Sequence, residues 1–415
     1  VALPVGETSV CIIARLYAPD VPMIPSLPPR RRWQRRSSPL ARYALLAYVL
    51  IVVDASLFPF TGWRDLGLSP FEYLAADWPV HALPFDLFVN ALGYAPLGFL
   101  VVLALHPRVR GMTAACFATL SCALLSVNLE ALQTYLPTRV ASKTDLLTNI
   151  AGGLVGALGA ARVAHTLLDT GRLRGWRARW FANDASRGLV LVMVWFGALV
   201  YPDVFAFGTG GILRSVDPES ADRIAAWFGL VESGDTDVAA SRFQFAEATV
   251  TALAIVGVGL LFLGLMRPGV RWRLRASLVF VLFIATIVVQ ALAHALLFEG
   301  AEPWPPLTPG SRTGVGVAAG VLLIATGLPA RSRWALGLAA LTGALVLVNV
   351  YPENPYVNAV GLAWTRGRLM NFYGLASGLN LAWPWFAIAY LLRHRGAGGP
   401  RRPTGMPAGR GWPSL

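Results

Sequence analysis

Stretches of about twenty apolar residues, each long enough as a helix to cross a hydrocarbon layer of roughly 30 Å, recur along this 415-residue chain. They lie near 41–60, 84–105, 111–131, 146–168, 187–207, 244–266, 275–298, 313–330, 333–350 and 376–393. A membrane interior pairs with no backbone N–H or C=O, so such a chain folds as helices or as a closed barrel. Barrel strands alternate apolar and polar residues over short segments, whereas these runs are long and continuous, which excludes a β-barrel. The expected fold is all-α: a polytopic transmembrane bundle of about ten helices by the length criterion, with 313–330 and 333–350 the shortest pair. Composition agrees, because 55% hydrophobic and 14% charged residues leave too few charges for an ordinary soluble domain.

The net charge of +13 invites a nucleic-acid partner, but the arginines give a better account of themselves. They fall in alternate loops. Arg30, Arg31, Arg32, Arg35, Arg36 and Arg42 precede the first span, Arg108 and Arg110 follow the second, and Arg172, Arg174, Arg177, Arg179 and Arg187 lie between the fourth and fifth. Arg267, Arg271, Arg273 and Arg275, then Arg331 and Arg333, then Arg393, Arg395, Arg401, Arg402 and Arg410 continue the series. Threaded through ten spans, all these loops share one side, which the positive-inside rule makes cytoplasmic, with both termini. The opposite loops carry the acids, including Asp65, Glu72, Asp77, Asp217, Glu219, Asp222, Glu232, Asp235, Asp237, Glu299, Glu302 and Glu353. The basic charge therefore records topology and attraction to anionic inner-leaflet lipid, and no nucleic-acid partner is expected.

This divides the chain into a basic cytoplasmic tail over 1–39, a four-helix membrane unit over 40–168, a basic linker over 169–188, a six-helix unit over 189–396 and a basic tail over 397–415. Both tails are expected to be disordered, and Met23 is a candidate start of translation. Within the longest outer loop, Gly208 to Gln244, the stretch Ala221 to Leu230 reads as a short interfacial helix with Trp227 and Phe228 on its apolar face. The aromatic loop from Tyr351 to Gly374 reads as an interfacial belt. Cys11, Cys116 and Cys122 have no metal or redox spacing and read as core. No cofactor is implied, and His81, His106, His165 and His394 form no metal-ligand pattern. Two short matches hint at a repeat between the halves: Glu130-Ala131-Leu132-Gln133 with Gln290-Ala291-Leu292-Ala293, and Ser142-Lys143-Thr144 with Ser311-Arg312-Thr313. Chance matching of apolar helices explains them equally well.

The four-helix unit alone carries a cluster of polar residues at membrane depth. Such groups are costly in lipid and by default mark function. The topology places Asp86 and Asn90 in the outer turns of the second span, Glu130 and Gln133 at the outer end of the third, and Asp145 and Asn149 in the first turns of the fourth. Arg139 and Lys143 sit in the loop between the last two. Glu130 and Gln133, three apart, share a helix face. Pro96 removes a helical hydrogen bond from the second span, Gly98 permits a close helix approach, and Gly152 and Gly153 belong to a small-residue face on the fourth.

The pattern Asp86-x3-Asn90-x3-Tyr94-x-Pro96-x-Gly98, Glu130-x2-Gln133, Arg139, Asp145-x3-Asn149-x2-Gly152 resembles the VanZ-like family of membrane proteins over roughly Thr61 to Ala160. The resemblance implies a role in the bacterial cell envelope, in the cytoplasmic membrane, linked to glycopeptide susceptibility, teicoplanin in particular. It supplies no reaction and does not reach the last six spans.

Three function classes follow. In the first, Asn90, Glu130, Gln133, Arg139, Lys143, Asp145 and Asn149 bind a membrane lipid head group or a lipid-linked cell-wall precursor, the cations taking phosphate and the others orienting the rest. In the second, Glu130 and Asp145 act as an acid–base pair on a lipid-linked substrate; the cluster lacks His, Cys or an activated Ser, and two carboxylates make a thin metal site. In the third, an ion pair of Arg139 with Glu130 or Asp145 only fixes the loop.

Overall fold

The structure, a computed structural model, describes residues 38–65, 67, 69–75, 84–168, 172–203, 205–230, 236–297, 308–351 and 371–394. Most of both tails and of the 351–374 aromatic loop lies outside the described residues, as do His81 and several of the outer acids. The helices are α1 (Pro39–Leu57), α2 (Pro84–Leu105), α3 (Gly111–Gln133), α4 (Lys143–Leu168), α5 (Arg172–Trp180), α6 (Ser186–Ala198), α7 (Ile212–Val216), α8 (Pro218–Trp227), α9 (Thr236–Gly264), α10 (Trp272–Leu297), α11 (Pro309–Ala325), α12 (Ala330–Val350) and α13 (Asn371–His394). A 3₁₀ turn, Glu72–Leu74, lies between α1 and α2. Among the described residues the only β pairing is an isolated bridge between Phe181 and Met266.

Every one of the ten apolar windows contains a helix, and eight of these are long and apolar enough to span a membrane. Local chemistry sets their starts. Ser38 caps α1 by accepting from Ala41 N, with Pro39 at the first helical position, and Thr308 and Pro309 start α11 in the same way. Ser142 begins α4, its hydroxyl accepting from Thr144 N and its carbonyl from Leu146 N. Side-chain caps of this kind satisfy N–H groups that have no partner inside the helix.

Two windows hold shorter helices. α11 has 17 residues, and α6 has only 13, about 20 Å at 1.5 Å per residue and so short of the roughly 30 Å apolar layer. The 187–207 window is therefore not one continuous spanning helix. Beyond Ala198 the chain turns and runs irregularly to Gly211, yet Phe205, Phe207 and Thr209 are buried. Irregular backbone persists at membrane depth only where protein supplies its hydrogen bonds. Here Asn380 of α13 donates to Ala198 O and Gly208 O and accepts from Gly210 N. Asn349 of α12 donates to Gly210 O and accepts from Leu213 N, and Gln290 of α10 donates to Ala206 O. The short helix expected over Ala221 to Leu230 runs instead over Pro218–Trp227, as α8; its buried face is Ala221 and Ala225, while Trp227 and Phe228 are exposed.

The second half packs around α9. Seventy-eight per cent of its most apolar window is buried against 11% of that of α10, which makes α9 the axis, flanked by α11 and α12, and leaves α10 at the edge. In the first half α4 lies along α2 and α3, and α1 lies on α2, where Tyr48 Oη donates to Gly93 O at 2.8 Å. α1 also packs on α6 and α13, with Phe58 seated over Gly374.

The arginine-bearing loops meet at one end. Arg267 N donates to Trp180 O and Ala182 N to Leu265 O, both at 2.9 Å. Arg187 Nε reaches Tyr43 Oη at 2.7 Å, and His394 stacks on Trp334.

Candidate functional site

The polar cluster is built on a very close helix crossing. A Cβ placed on Gly98 would lie 2.0 Å from Gly153 O, one on Gly152 2.1 Å from Ala91 O, and one on Gly156 1.8 Å from Ala95 O. Only glycine allows this contact, and it brings Asn90 of α2 beside Asp145 of α4. The Asn90 side chain lies beside the Asp145 carboxylate, and Asp86 and Glu130 are close enough for their charges to act on Asp145. Asp86 is exposed, whereas Asn90, Lys143 and Asp145 are half-buried.

Glu130 is deeper, only 4% exposed. Its Oε2 accepts from Ser142 N at 2.9 Å, so a carboxylate from α3 serves the N-terminal residue of α4. Within one helix a glutamate at the third position does this in a capping box; here the reciprocal bond comes from a neighbouring helix. Tyr73 of the 3₁₀ turn covers this end of α3, its Oη 3.5 Å from Val127 O. Burial first, and then the Glu130 charge, hold the Tyr73 hydroxyl above its ordinary range, so it remains a donor.

Gln133 and Arg139 turn away from the carboxylates toward the end of α1. Gln133 Nε2 donates to Ser56 O at 3.0 Å. Arg139 donates through Nη2 to Ala55 O at 3.1 Å and through Nε and Nη2 to Phe58 O at 3.2 and 3.0 Å. Both side chains thus satisfy carbonyls that a helix C-terminus leaves without partners. Among the described residues Arg139 forms no ion pair with Glu130 or Asp145, and its Nη1 edge makes no hydrogen bond. Asn149, 6% exposed, donates to Ser126 Oγ at 3.0 Å and so ties α4 to α3. The Tyr94 hydroxyl of α2 lies beside Ser126, so polar groups of three helices meet beneath the site.

The cluster therefore separates into two sets. Asn90 and Asp145, with Asp86, form one partly open group, Lys143 stands half-buried at the start of α4, and Glu130, Gln133, Arg139 and Asn149 each hold a neighbouring element. Pro96 stands within an unbroken α2, and Gly153 packs against Cys122. Among the described residues no three His, Cys, Asp or Glu side chains come together to hold a metal. The sequence pattern did not bring Ser126 or Tyr73 to the site and gave Ser142 no role in it. Ser126 was legible, being four residues before Glu130 and so on its face of α3; the Ser142 contact is made by backbone, which residue type does not reveal.

Glu130 gives a direct test of this assignment. Glu130→Gln keeps an acceptor for Ser142 N and is expected to unfold in detergent close to the unaltered protein. Glu130→Ala leaves that N–H buried and unpaired, at a cost of about 1–3 kcal/mol, and is expected to unfold at clearly lower temperature.

The second half uses the same device with other residues. Glu247 of α9, 4% exposed, accepts from the Thr308 hydroxyl and from Ser311 N at the start of α11. Gln290, aligned with Glu130 in the sequence comparison, instead serves the irregular segment.

Comparison with known proteins adds one match. The sequence model of the VanZ/LLP1 family matches residues 23–164, taking in α1 as well as the motif-bearing helices. No curated protein and no solved structure matches the chain.

Proposed function

Since residues 23–164 form a VanZ-like domain within a multi-pass membrane protein, we propose that this domain binds a lipid head group, or the head group of a lipid-linked cell-wall precursor, at the outer leaflet. Binding there would alter how a glycopeptide such as teicoplanin reaches its target. On this reading the protein resides in the bacterial cytoplasmic membrane, with the basic end and both termini in the cytoplasm.

One observation carries the proposal: Asp86, Asn90 and Asp145 come together, partly open, at the opposite end of the bundle from the basic loops, while Glu130, Gln133 and Arg139 beside them serve helix ends. Asp86, Asn90 and Asp145 suit hydroxyl or ammonium groups of a head group. Lys143 and the Nη1 edge of Arg139 suit its phosphate, guanidinium being a strong partner for phosphate oxygens. Glu130, Gln133 and Asn149 act at one remove, by keeping α1, α3 and α4 in place.

The test compares lipid retained after purification, by native mass spectrometry, for the unaltered chain and for Asp86→Asn with Lys143→Ala. Asp86 is exposed and Lys143 half-buried, and substitutions at exposed positions usually change stability by about 0.5 kcal/mol or less. The expected result is loss of phospholipid or polyprenyl phosphate with little change in thermal unfolding. Equal lipid retention by the double variant would end the proposal.

A further inference from the structure

At the basic end of the second half an arginine is buried with no counter-charge paired to it among the described residues. Arg333, in the first turn of α12, is 5% exposed. Its Nε and Nη1 are buried and have no hydrogen-bond partner among the described residues. The charge acting on it is that of Arg275, another arginine, in the first turn of α10. Arg275 gives Nη2 to Arg267 O and Pro268 O but also has a buried Nε without a partner. A buried guanidinium that lacks a counter-charge is strongly disfavoured, and more so beside a like charge.

The backbone adds to the imbalance. Helix N-termini carry partial positive charge and favour acids in the first turn. α10 and α12 have no acid there, and Pro329 gives α12 no side-chain cap. Two helix N-termini without an acid in the first turn thus carry a buried arginine, Arg333, and a half-buried one, Arg275, close enough for their charges to act on each other, and among the described residues neither forms an ion pair. Among the described residues Arg333 caps no carbonyl, unlike Arg139 in the first half.

We propose that Arg333, with Arg275 beside it, forms a site for a phosphate group, supplied by the head group of an anionic phospholipid in the leaflet at the basic end. Depth and surroundings favour lipid over soluble phosphate. Trp272, 61% exposed with Arg273 stacked 5.7 Å from its ring centre, marks head-group level, where tryptophan concentrates. Immediately along α10 the outward residues are Phe280, Val281 and Ile284, an apolar face on which acyl chains can lie. Basic pockets between membrane helices at this level take anionic head groups.

The full chain, purified and placed in nanodiscs of phosphatidylcholine with or without phosphatidylglycerol, tests this. Phosphatidylglycerol is expected to raise the unfolding temperature and to stay bound through transfer to detergent, as seen by native mass spectrometry. Arg333→Met should lower that retention about tenfold, the loss of one charge-assisted guanidinium–phosphate contact. Arg331→Ala, at an exposed arginine of the same turn, should leave retention unchanged, which separates the site from general basicity. Arg275→Gln provides a second variant if Arg333→Met does not reach the membrane, and it too should weaken retention. Retention by Arg333→Met or Arg275→Gln equal to that of the unaltered chain would overturn the site. Protection by inorganic phosphate in detergent, with no phosphatidylglycerol retained, would overturn the lipid as its occupant.

Discussion

Gly156→Leu is expected to prevent the first four helices from assembling, yielding protein that aggregates on extraction into detergent. The first atom of any side chain there would stand 1.8 Å from Ala95 O, and a backbone atom cannot rotate out of the way. Overpacking of a core ordinarily costs about 1–3 kcal/mol where side chains adjust; here α4 must move off α2 as a body. That movement breaks the matching contacts at Gly152 and Gly98 and separates Asn90 from Asp145. Gly159→Ala supplies the control, because nothing lies within 4 Å of a Cβ at that position and alanine favours helix over glycine by roughly 0.5–1 kcal/mol. Size-exclusion profiles and thermal unfolding of the two variants should diverge, Gly159→Ala behaving as well as the unaltered chain. Comparable behaviour would show that α2 and α4 are not in backbone contact.

Asn380→Leu is expected to release the irregular segment between α6 and α7. The side chain is 1% exposed, and its loss leaves Gly210 N, Ala198 O and Gly208 O without their partner. At about 1–3 kcal/mol for each buried group left unpaired, the effect is of the order of the stability of a small domain. Asn380→Asp keeps the acceptor for Gly210 N while removing the donors, and should be damaging but less so. A cysteine placed at Thr209, 8% exposed, in a chain whose native cysteines are replaced by alanine, reports the change. It should resist thiol reagents in the parent and react readily with Asn380→Leu. Protection in both would show that the segment is held by packing alone.

That segment also marks where sequence reading stopped. A window of apolar residues reports burial in lipid or protein, and for nine of the ten windows burial and helix coincide because a helix is the economical way to pair backbone across a bilayer. Over 199–211 the two part company: the chain is buried, but Asn349, Asn380 and Gln290, far away in sequence, do the pairing. Pro202, Gly208, Gly210 and Gly211 were the local signs of a break. The polar cluster was legible in position, since alternation of loop charge brings Asp86, Glu130 and Asp145 to one end. Its division of labour was not. Sequence pairs Arg139 with a carboxylate because opposite charges are visible there, whereas its partners, Ala55 O and Phe58 O, are carbonyls that every residue type carries.

Those carbonyls belong to α1, and α1 also lies against α6 and α13 with its last turn at Gly374. A polypeptide cut after the family-matched stretch at residue 164 would therefore retain the groups that terminate α1 and lose the surface that covers its far side. Such a fragment would expose a flank of its first helix, Phe58 included, to lipid or to another chain. Helices α6 and α13 thus complete the wall of the first-half bundle, whatever else they do.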